Sequence, residues 1–519
     1  AVPCQQGAGG GPVRGGAVQA SVRVVESHHV PTAGAAPART AAPHDDTDGG
    51  LRQARRVPQG AIELAGLALG IGFVAAVALD HTLSNDELWS MAAGQWMLAH
   101  HAFVGLDPFS YTEAHRRWVT DEWGSEVALA GLAWLFGSAA YDVYAVVLGA
   151  LCLGSCAAYA RAVGACGGRV VSIVLLLALG LAGSLASDRG LDFSLVWFPL
   201  ELLVLTKARD DPRWLWGLPP LFVLWANTHG SVLLGLAVLG VELAWALAPA
   251  RLVVRLRALH PSPWRGALGL ALAASAAAAC VNPYGPGLLA YDLDVARNPQ
   301  IASSISEWAS PDFHQFMVVL VYCVPLAVFV ACVHARRVPA LEGTLAALLF
   351  VEALRTQRLV VYLMVVAAGL AAALPQRPAW GPAARRWAGG ALVVLAVVVV
   401  AAPAVPAGTV SPALPVQAFD DLRAHPGRIF TEYAWGDYSI ARHRATFVDG
   451  RTDLFEGKVL GEFFAVSDLA RDPDPVLSAY QVSYVVWAPG TALAVYLAHD
   501  PRWRLVDRTP VALVFARNG

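Results

Sequence analysis

An aspartate and a glutamate stand side by side just beyond a long apolar run, in the stretch Ser84-Asn85-Asp86-Glu87-Leu88-Trp89. A carboxylate held at such an edge can take the proton of a hydroxyl nucleophile or orient one. The same region supplies Asp107 and Glu126, and a second acidic pair, Asp121 and Glu122, inside Trp118-Val119-Thr120-Asp121-Glu122-Trp123. Ser84-x-x-Glu87 also has the form of a capping box, and acids favour helix N-termini through the macrodipole, so a purely structural role fits these residues equally well. Trp89, Ala92, Ala93 and Trp96 follow at helical spacing, which predicts a helix lying along a membrane surface with carboxylates at its start.

Arg355 and Arg358 are the other side chains whose placement calls for chemistry. They close an apolar run at the end where the charge rule for membrane proteins disfavours cations, so something should compensate them. A phosphate or diphosphate on a membrane-borne substrate would do so, because guanidinium is a planar fork matched to phosphate oxygens. An ion pair with Asp86 or Glu307, or snorkelling to lipid headgroups, would do so without any substrate. His229, in Trp225-Ala226-Asn227-Thr228-His229-Gly230, and Asn282 and Tyr284, in Val281-Asn282-Pro283-Tyr284-Gly285, are further candidate contacts. Asn-Pro-Tyr-Gly is equally a turn, and a boundary histidine is more often a hydrogen-bonded structural residue than a catalyst. The loop after it carries Tyr291, Asp292, Asp294, Arg297 and then Glu307-Trp308, and loops of about thirty residues are often functional.

What must position these groups is a membrane-embedded scaffold. Of 519 residues, 56% are hydrophobic and only 15% charged, with a mean hydropathy of +0.51, too apolar for a soluble globular protein. The net charge of −2 and the lack of a basic cluster give no reason to expect nucleic acid. Seven cysteines without a CxxC indicate neither a zinc site nor a disulfide framework. HExxH, a P-loop and GxSxG are absent, so zinc proteolysis, ATP hydrolysis and serine hydrolysis have no motif support.

Residues 1–58, rich in Gly, Ala, Pro and Arg, are expected to be a disordered cytoplasmic tail. The basic run from Leu51 to Arg56 holds the start of the first span, about Ala61 to Leu79, on the cytoplasmic side. Residues 124–137 are apolar but short of the ~20 needed to cross a bilayer and read as a second surface helix. The next span, about Tyr141 to Ala160, then ends at Arg161 and Arg169 in the cytoplasm. With that choice Lys207-Ala208-Arg209, Arg251 to Arg257, Arg336-Arg337 and Arg385-Arg386 all fall inside. Asp188-Arg189, Asn227 to Gly230, Asn282 to His314 and Arg355 to Arg358 fall outside. About eleven spans result, the last from about Trp387 to Ala402.

The expected architecture is therefore a mainly α, polytopic transmembrane bundle over 59–405 with a first extracytoplasmic loop at 80–140, followed by a small extracytoplasmic α/β domain over 412–519. In that domain strands are expected at Arg428 to Thr431, Thr446 to Val448, Tyr484 to Trp487, Trp503 to Val506 and Val511 to Ala516. Its loops contain Tyr433-Ala434-Trp435-Gly436-Asp437-Tyr438 and Phe447-Val448-Asp449-Gly450-Arg451-Thr452-Asp453. Asp449 and Arg451 could meet a sugar or could pair with each other in a turn.

First span, Asp86-Glu87 with aromatics, surface helix, and a second acidic motif leading into another apolar helix: this order resembles the polytopic GT-C glycosyltransferases, such as the protein O-mannosyltransferases and the lipid A aminoarabinose transferase. The resemblance covers residues 60–405 and is carried mainly by Asp86-Glu87. It departs from the mannosyltransferase pattern at Thr120-Asp121-Glu122-Trp123, where a proline-containing motif would stand, so the substrate does not carry over. It implies sugar transfer, with inversion, from a polyprenyl phosphate or diphosphate to a lipid, glycan or protein acceptor at the outer face of the inner membrane. Asp86 would act as base with Glu87 beside it, Asp121 and Glu122 would orient the acceptor, and Arg355 and Arg358 would hold the donor phosphate. No cofactor is required on this reading, although carboxylates so grouped could hold a divalent cation. The competing reading is a transporter or a membrane scaffold displaying the C-terminal domain. Glu63, Glu201, Glu242 and Glu352 fall within or beside apolar runs, but no repeat relates the two halves, and the polar residues gather in the outer loops.

Overall fold

A computed structural model describes residues 58–83, 86–186, 189–249, 262–375 and 405–518. The tail before residue 58, Ser84 of the capping box, Asp188, the Arg251 to Arg257 loop and the Trp387 to Ala402 span with Arg385-Arg386 before it lie outside the described residues.

The first eight helices are α1 (Gln59–Leu79), α2 (Asp86–His100), α3 (Trp123–Phe136), α4 (Ala140–Val163), α5 (Gly168–Leu185), α6 (Leu191–Ala208), α7 (Leu218–Ala226) and α8 (Val232–Leu247). Further helices cover Arg265–Ala279, Gly287–Arg297, Phe316–His334, Ala340–Arg355 and Val360–Ala373. Among the described residues, Gln59–Leu79, Trp123–Val163, Gly168–Leu185 and Phe316–His334 are long and apolar enough to cross a membrane. Val232–Leu247, Arg265–Ala279 and Gln357–Ala373 are apolar but shorter. Helix α6 carries Asp192 and Glu201, both buried, which lowers its hydropathy below that of a simple span.

Small residues bring the helices close. On α1, Gly66 and Gly70 face Val171 and Val174 of α5, and a Cβ on Gly66 would come within 2.7 Å of Val171 Cγ2. In the first loop, Gly94 of α2 seats on α3 so tightly that a Cβ would lie 2.0 Å from the Glu126 carbonyl oxygen. Helix α4 separates two chemically distinct ends. Near its start the Tyr144 hydroxyl donates to the Arg189 carbonyl (3.0 Å). Near its end Arg161 pairs with Glu63, seventeen residues or roughly 25 Å farther on. Arg169, which donates to the Leu374 carbonyl, and Arg209, 3.7 Å from Glu242 and 3.6 Å from Glu342, share that far end.

The C-terminal domain holds a four-stranded sheet of order β1-β2-β4-β3: β1 (Arg428–Thr431), β2 (Val482–Trp487), β3 (Trp503–Arg508) and β4 (Leu513–Arg517). Strands β1 and β2 run parallel and the other two pairs antiparallel. β-branched and aromatic residues fill the strands, and Phe430 stacks on Trp487 at 5.4 Å over the buried Phe463. Thr446 to Val448 does not form the expected strand. Its backbone is engaged by the first loop instead: Tyr111 N–H donates to the Thr446 carbonyl (3.1 Å), Thr446 N–H to the Phe109 carbonyl (3.0 Å), and the Thr112 hydroxyl to the Phe447 carbonyl (2.6 Å).

Beside that segment a buried ion triad fastens the domain to the first loop. Arg451, 2% exposed, donates to Asp449 through Nη2 (2.6 Å) and to Asp107 through Nη1 (2.6 Å). Its guanidinium lies 4.5 Å from the Trp118 ring centre and 5.2 Å from that of Phe109. Asp107 also accepts the backbone N–H groups of Phe109 and Ser110. All the charges are therefore satisfied within the protein, and Asp449 and Arg451 present no free polar group to a ligand.

Candidate active site

Asp86 opens α2, where the exposed N–H groups of the first turn favour a carboxylate. Its Oδ1 accepts from the indole Nε1 of Trp89 (3.3 Å), and its Oδ2 lies 3.2 Å from Nη1 of Arg189. The same Nη1 is 2.6 Å from Glu307 Oε1. One guanidinium from the α5–α6 connection thus joins the first loop to the long loop after Asn282. Glu87, the other half of the pair, is 2% exposed and faces the interior, its carbonyl accepting from Tyr141 (3.5 Å).

The residue after Arg189 leads to the second acid. Gly190 sits where a Cβ would come 2.5 Å from Glu122 Oε2, and its backbone N–H bonds that carboxylate. Glu122 Oε1 is 3.3 Å from His229 Nε2, which in turn lies 2.9 Å from Arg358 Nη2. His229 Nδ1 accepts from the Ser231 N–H (3.0 Å). Burial raises Glu122 to about 7, with Arg358 opposing and Asp86 adding to the rise. Burial and then the Arg358 charge push His229 well below its usual range, so the imidazole is neutral. Arg358 also faces Trp308, 5.7 Å from its ring centre.

A third acidic group lies beyond Glu122. The Cβ position of Gly230 is 2.9 Å from Asp292 Oδ1 and 3.3 Å from Asp121 Oδ2, so these two carboxyl groups meet across a bare backbone. Asp453, from the C-terminal domain, accepts from the Tyr291 hydroxyl beside them. Burial and the Asp121 charge raise Asp292 to about 9, while burial, Glu122 and Asp453 raise Asp121. Among the described residues no three His, Cys, Asp or Glu side chains are placed to hold a metal ion.

The remaining sequence candidates divide between framework and surface. Tyr284 takes the Thr120 N–H (2.9 Å) and pairs with its hydroxyl (2.6 Å), bracing the residue before Asp121. Asn282 serves its own turn, accepting from Tyr284 N–H (2.8 Å) and donating to the Ala279 and Gly285 carbonyls. Arg355 is not brought to this cluster: its side chain is 76% exposed and pairs with Glu352 one helical turn back at 3.5 Å. Arg189, to which the sequence reading gave no role, joins the site, as do Asp292, Asp437 and Asp453, which it noted only as acids within their loops. Arg189 carried the signal that picked out Arg358, a cation at the disfavoured end of a span.

No family model matches the chain, and no curated protein matches it in sequence. Solved structures do match in fold. The oligosaccharyltransferase AglB of Archaeoglobus fulgidus, in complex with an inhibitory peptide and a dolichol-phosphate, superposes with a TM-score of 0.57 at 10% identity, over 82% of this chain and 69% of that one. ArnT of Cupriavidus metallidurans bound to undecaprenyl phosphate gives 0.51 at 15% identity, over 89% and 98%. The apo form of ArnT gives 0.52 at 16% identity, over 88% and 98%. The chain has the fold of the GT-C glycosyltransferases.

Proposed function

We propose that this protein is a membrane glycosyltransferase that moves a sugar from a polyprenyl phosphate or diphosphate to an acceptor hydroxyl, inverting the anomeric carbon. One observation carries the reading. On a GT-C fold, a reachable carboxylate (Asp86), a carboxylate raised to about 7 (Glu122) and two arginines (Arg189 and Arg358) are brought into one cluster of contacts. A base and a phosphate-binding cation are the two groups such a displacement needs. That two of the matched structures were solved with dolichol-phosphate and undecaprenyl phosphate supports a polyprenyl donor.

In this mechanism Asp86 takes the proton of the acceptor hydroxyl as its oxygen attacks the anomeric carbon. The bond from that carbon to the phosphate oxygen breaks, and the leaving phosphate keeps the electron pair. Arg358 and Arg189 stabilise the departing charge, with planar N–H forks suited to two phosphate oxygens. Glu122, in its ionised form, orients the acceptor. The reaction is tested with purified protein in nanodiscs: a labelled polyprenyl-phosphate sugar should lose its sugar to an added acceptor. A panel of such donors that is neither bound nor consumed would sink the reading.

Ionisation of Glu122 should appear in the pH profile. As pH falls below about 7 the carboxylate gains a proton and ceases to accept, so kcat/KM should fall on the acid side with a midpoint there. Glu122→Gln should lower the plateau and remove that limb. A flat profile between pH 6 and 8 in the parent enzyme would remove Glu122 from the reacting state.

Donor affinity reports on Arg358. Arg358→Ala should weaken donor-lipid binding roughly ten- to a hundredfold, since a charge-assisted hydrogen bond contributes ~1.5–3 kcal/mol. Arg358→Lys, which keeps the charge but not the fork, should weaken it less. Arg355→Ala, at its exposed position, should stay close to the parent. Equal affinity in Arg358→Ala and parent would leave the arginine as a partner of His229 alone.

The distribution of basic residues further supports placing this site and the C-terminal domain on the extracytoplasmic side. A cysteine replacing the exposed Ser478 should react with a membrane-impermeant thiol reagent added to intact cells. Reaction only after the cells are opened would reverse the orientation.

A further inference from the structure

We propose that Asp437, from the C-terminal domain, is a positioning residue for Asp86: a neutral carboxylic acid that holds the Gly450 turn with one oxygen and the Asp86 carboxylate with its hydroxyl. The proposal rests on the reading of Asp86 as the base and deepens it.

Two glycine-containing turns meet here backbone to backbone. Gly436 approaches Val448 so closely that a Cβ would lie 2.0 Å from its carbonyl oxygen. This seats Asp437, 1% exposed, beneath the Asp449-Gly450-Arg451 turn, and its Oδ1 accepts the Gly450 N–H at 2.7 Å. The Cβ position of Gly450 is 2.6 Å from Asp86 Oδ1 and 3.2 and 3.1 Å from Asp437 Oδ1 and Oδ2. The two carboxyl groups therefore face each other across a Cα that bears no side chain, and Gly450 is the residue whose bareness allows it.

Two ionised carboxylates facing each other would repel, and among the described residues no cation bridges the two, because Arg189 pairs with Asp86 and not with Asp437. Arg451, the nearest guanidinium, donates to Asp449 and Asp107, and Arg189 approaches Asp86 and Glu307. Tyr433, the other titratable group facing this point, is bonded to the Thr452 hydroxyl. Burial, Asp449 and Asp86 together push Asp437 well above the carboxylate range, in keeping with the neutral form. A neutral acid has one strong acceptor and one donor. The Gly450 N–H occupies the acceptor, which leaves the O–H for Asp86, the group nearest across the glycine.

An asparagine reproduces that pattern, carbonyl to Gly450 and amide N–H to Asp86, whereas alanine reproduces neither half. Asp437→Asn and Asp437→Ala would be made in the full chain, with Asp437→Ser as the loss variant should Ala not fold. Modification of Asp86 by a water-soluble carbodiimide would be followed by peptide mapping alongside sugar transfer. The Ala variant should show several-fold faster modification of Asp86, and a kcat lowered about tenfold with donor KM little changed, the size expected for one lost hydrogen bond to a charged group. Asn should restore the parent modification rate and most of the kcat. Parent-like modification in Ala, or Asn as defective as Ala, would overturn the proposal. If the parent protein transfers no sugar, the glycosyltransferase reading fails, while the modification rates still decide whether Asp437 holds Asp86.

Discussion

Asp86→Asn is expected to lower turnover by about 10²- to 10⁴-fold, the range for loss of a positioned general base, while the protein still folds and binds donor lipid. Asparagine keeps the size of the side chain, an acceptor for the Trp89 indole (3.3 Å in the parent) and the helix-capping preference of aspartate. It cannot take the acceptor's proton. Because the proton moves only as the transition state forms, kcat and kcat/KM should fall together, with little change in donor affinity. The substitution also separates the two roles the sequence leaves open, since a mere helix cap would accept Asn without loss. Turnover within tenfold of the parent would assign Asp86 to the helix and move the base elsewhere, with Glu122 next in line.

Arg451→Ala should destabilise the protein by ~3–5 kcal/mol, the usual consequence of removing one partner from a buried ion pair. Two carboxylates, Asp107 and Asp449, would be left facing each other without their cation, and the Trp118 and Phe109 rings would lose the planar group packed on them. Lysine should not restore the loss, because a single ammonium cannot donate to both acids and cover the rings at once. The triple variant Asp107→Asn, Asp449→Asn, Arg451→Met, neutral throughout, should recover part of it. Equilibrium unfolding in a mild detergent, with the C-terminal domain followed by protease sensitivity, measures the change. A shift below about 1 kcal/mol, the level of a surface pair, would contradict the latch.

Much of this arrangement is visible in the sequence because it obeys local rules. Asp86 can be placed at a helix start from the helical spacing behind it, and the strand over Arg428–Thr431 from its composition and flanking turn residues. The 14-residue helix Trp123–Phe136 is identifiable by length alone. Thr446 to Val448 shows where local rules stop: its β-branched and aromatic residues suit a strand, yet Phe109, Tyr111 and Thr112, more than 300 positions earlier, take up its backbone. The site is hidden for the same reason. Asp86, Arg189 and Glu307 have no sequence relation to one another and become a unit only because α5 and α6 return the chain to the start of α2. Arg355 and Arg358 gave one signal at one membrane edge, but the turn of 3₁₀ helix at Gln357–Leu359 sends them apart, one outward to Glu352 and the other inward to His229.

The latch also sets an order of events in biosynthesis. Asp107 and Arg451 are 344 residues apart, and at the ~5–20 residues per second of translation the loop bearing Asp107 waits roughly 17 to 70 seconds for its partner to be made. During that interval Asp107 lacks its cation, and Trp118 and Phe109 lack their cover. The loop must therefore stay soluble as an incomplete surface, and the carboxylate of Asp86 stands without the Gly450 turn that later closes over it. Only a chain translated past Arg451 can assemble the whole site, so assembly waits on one side chain made late.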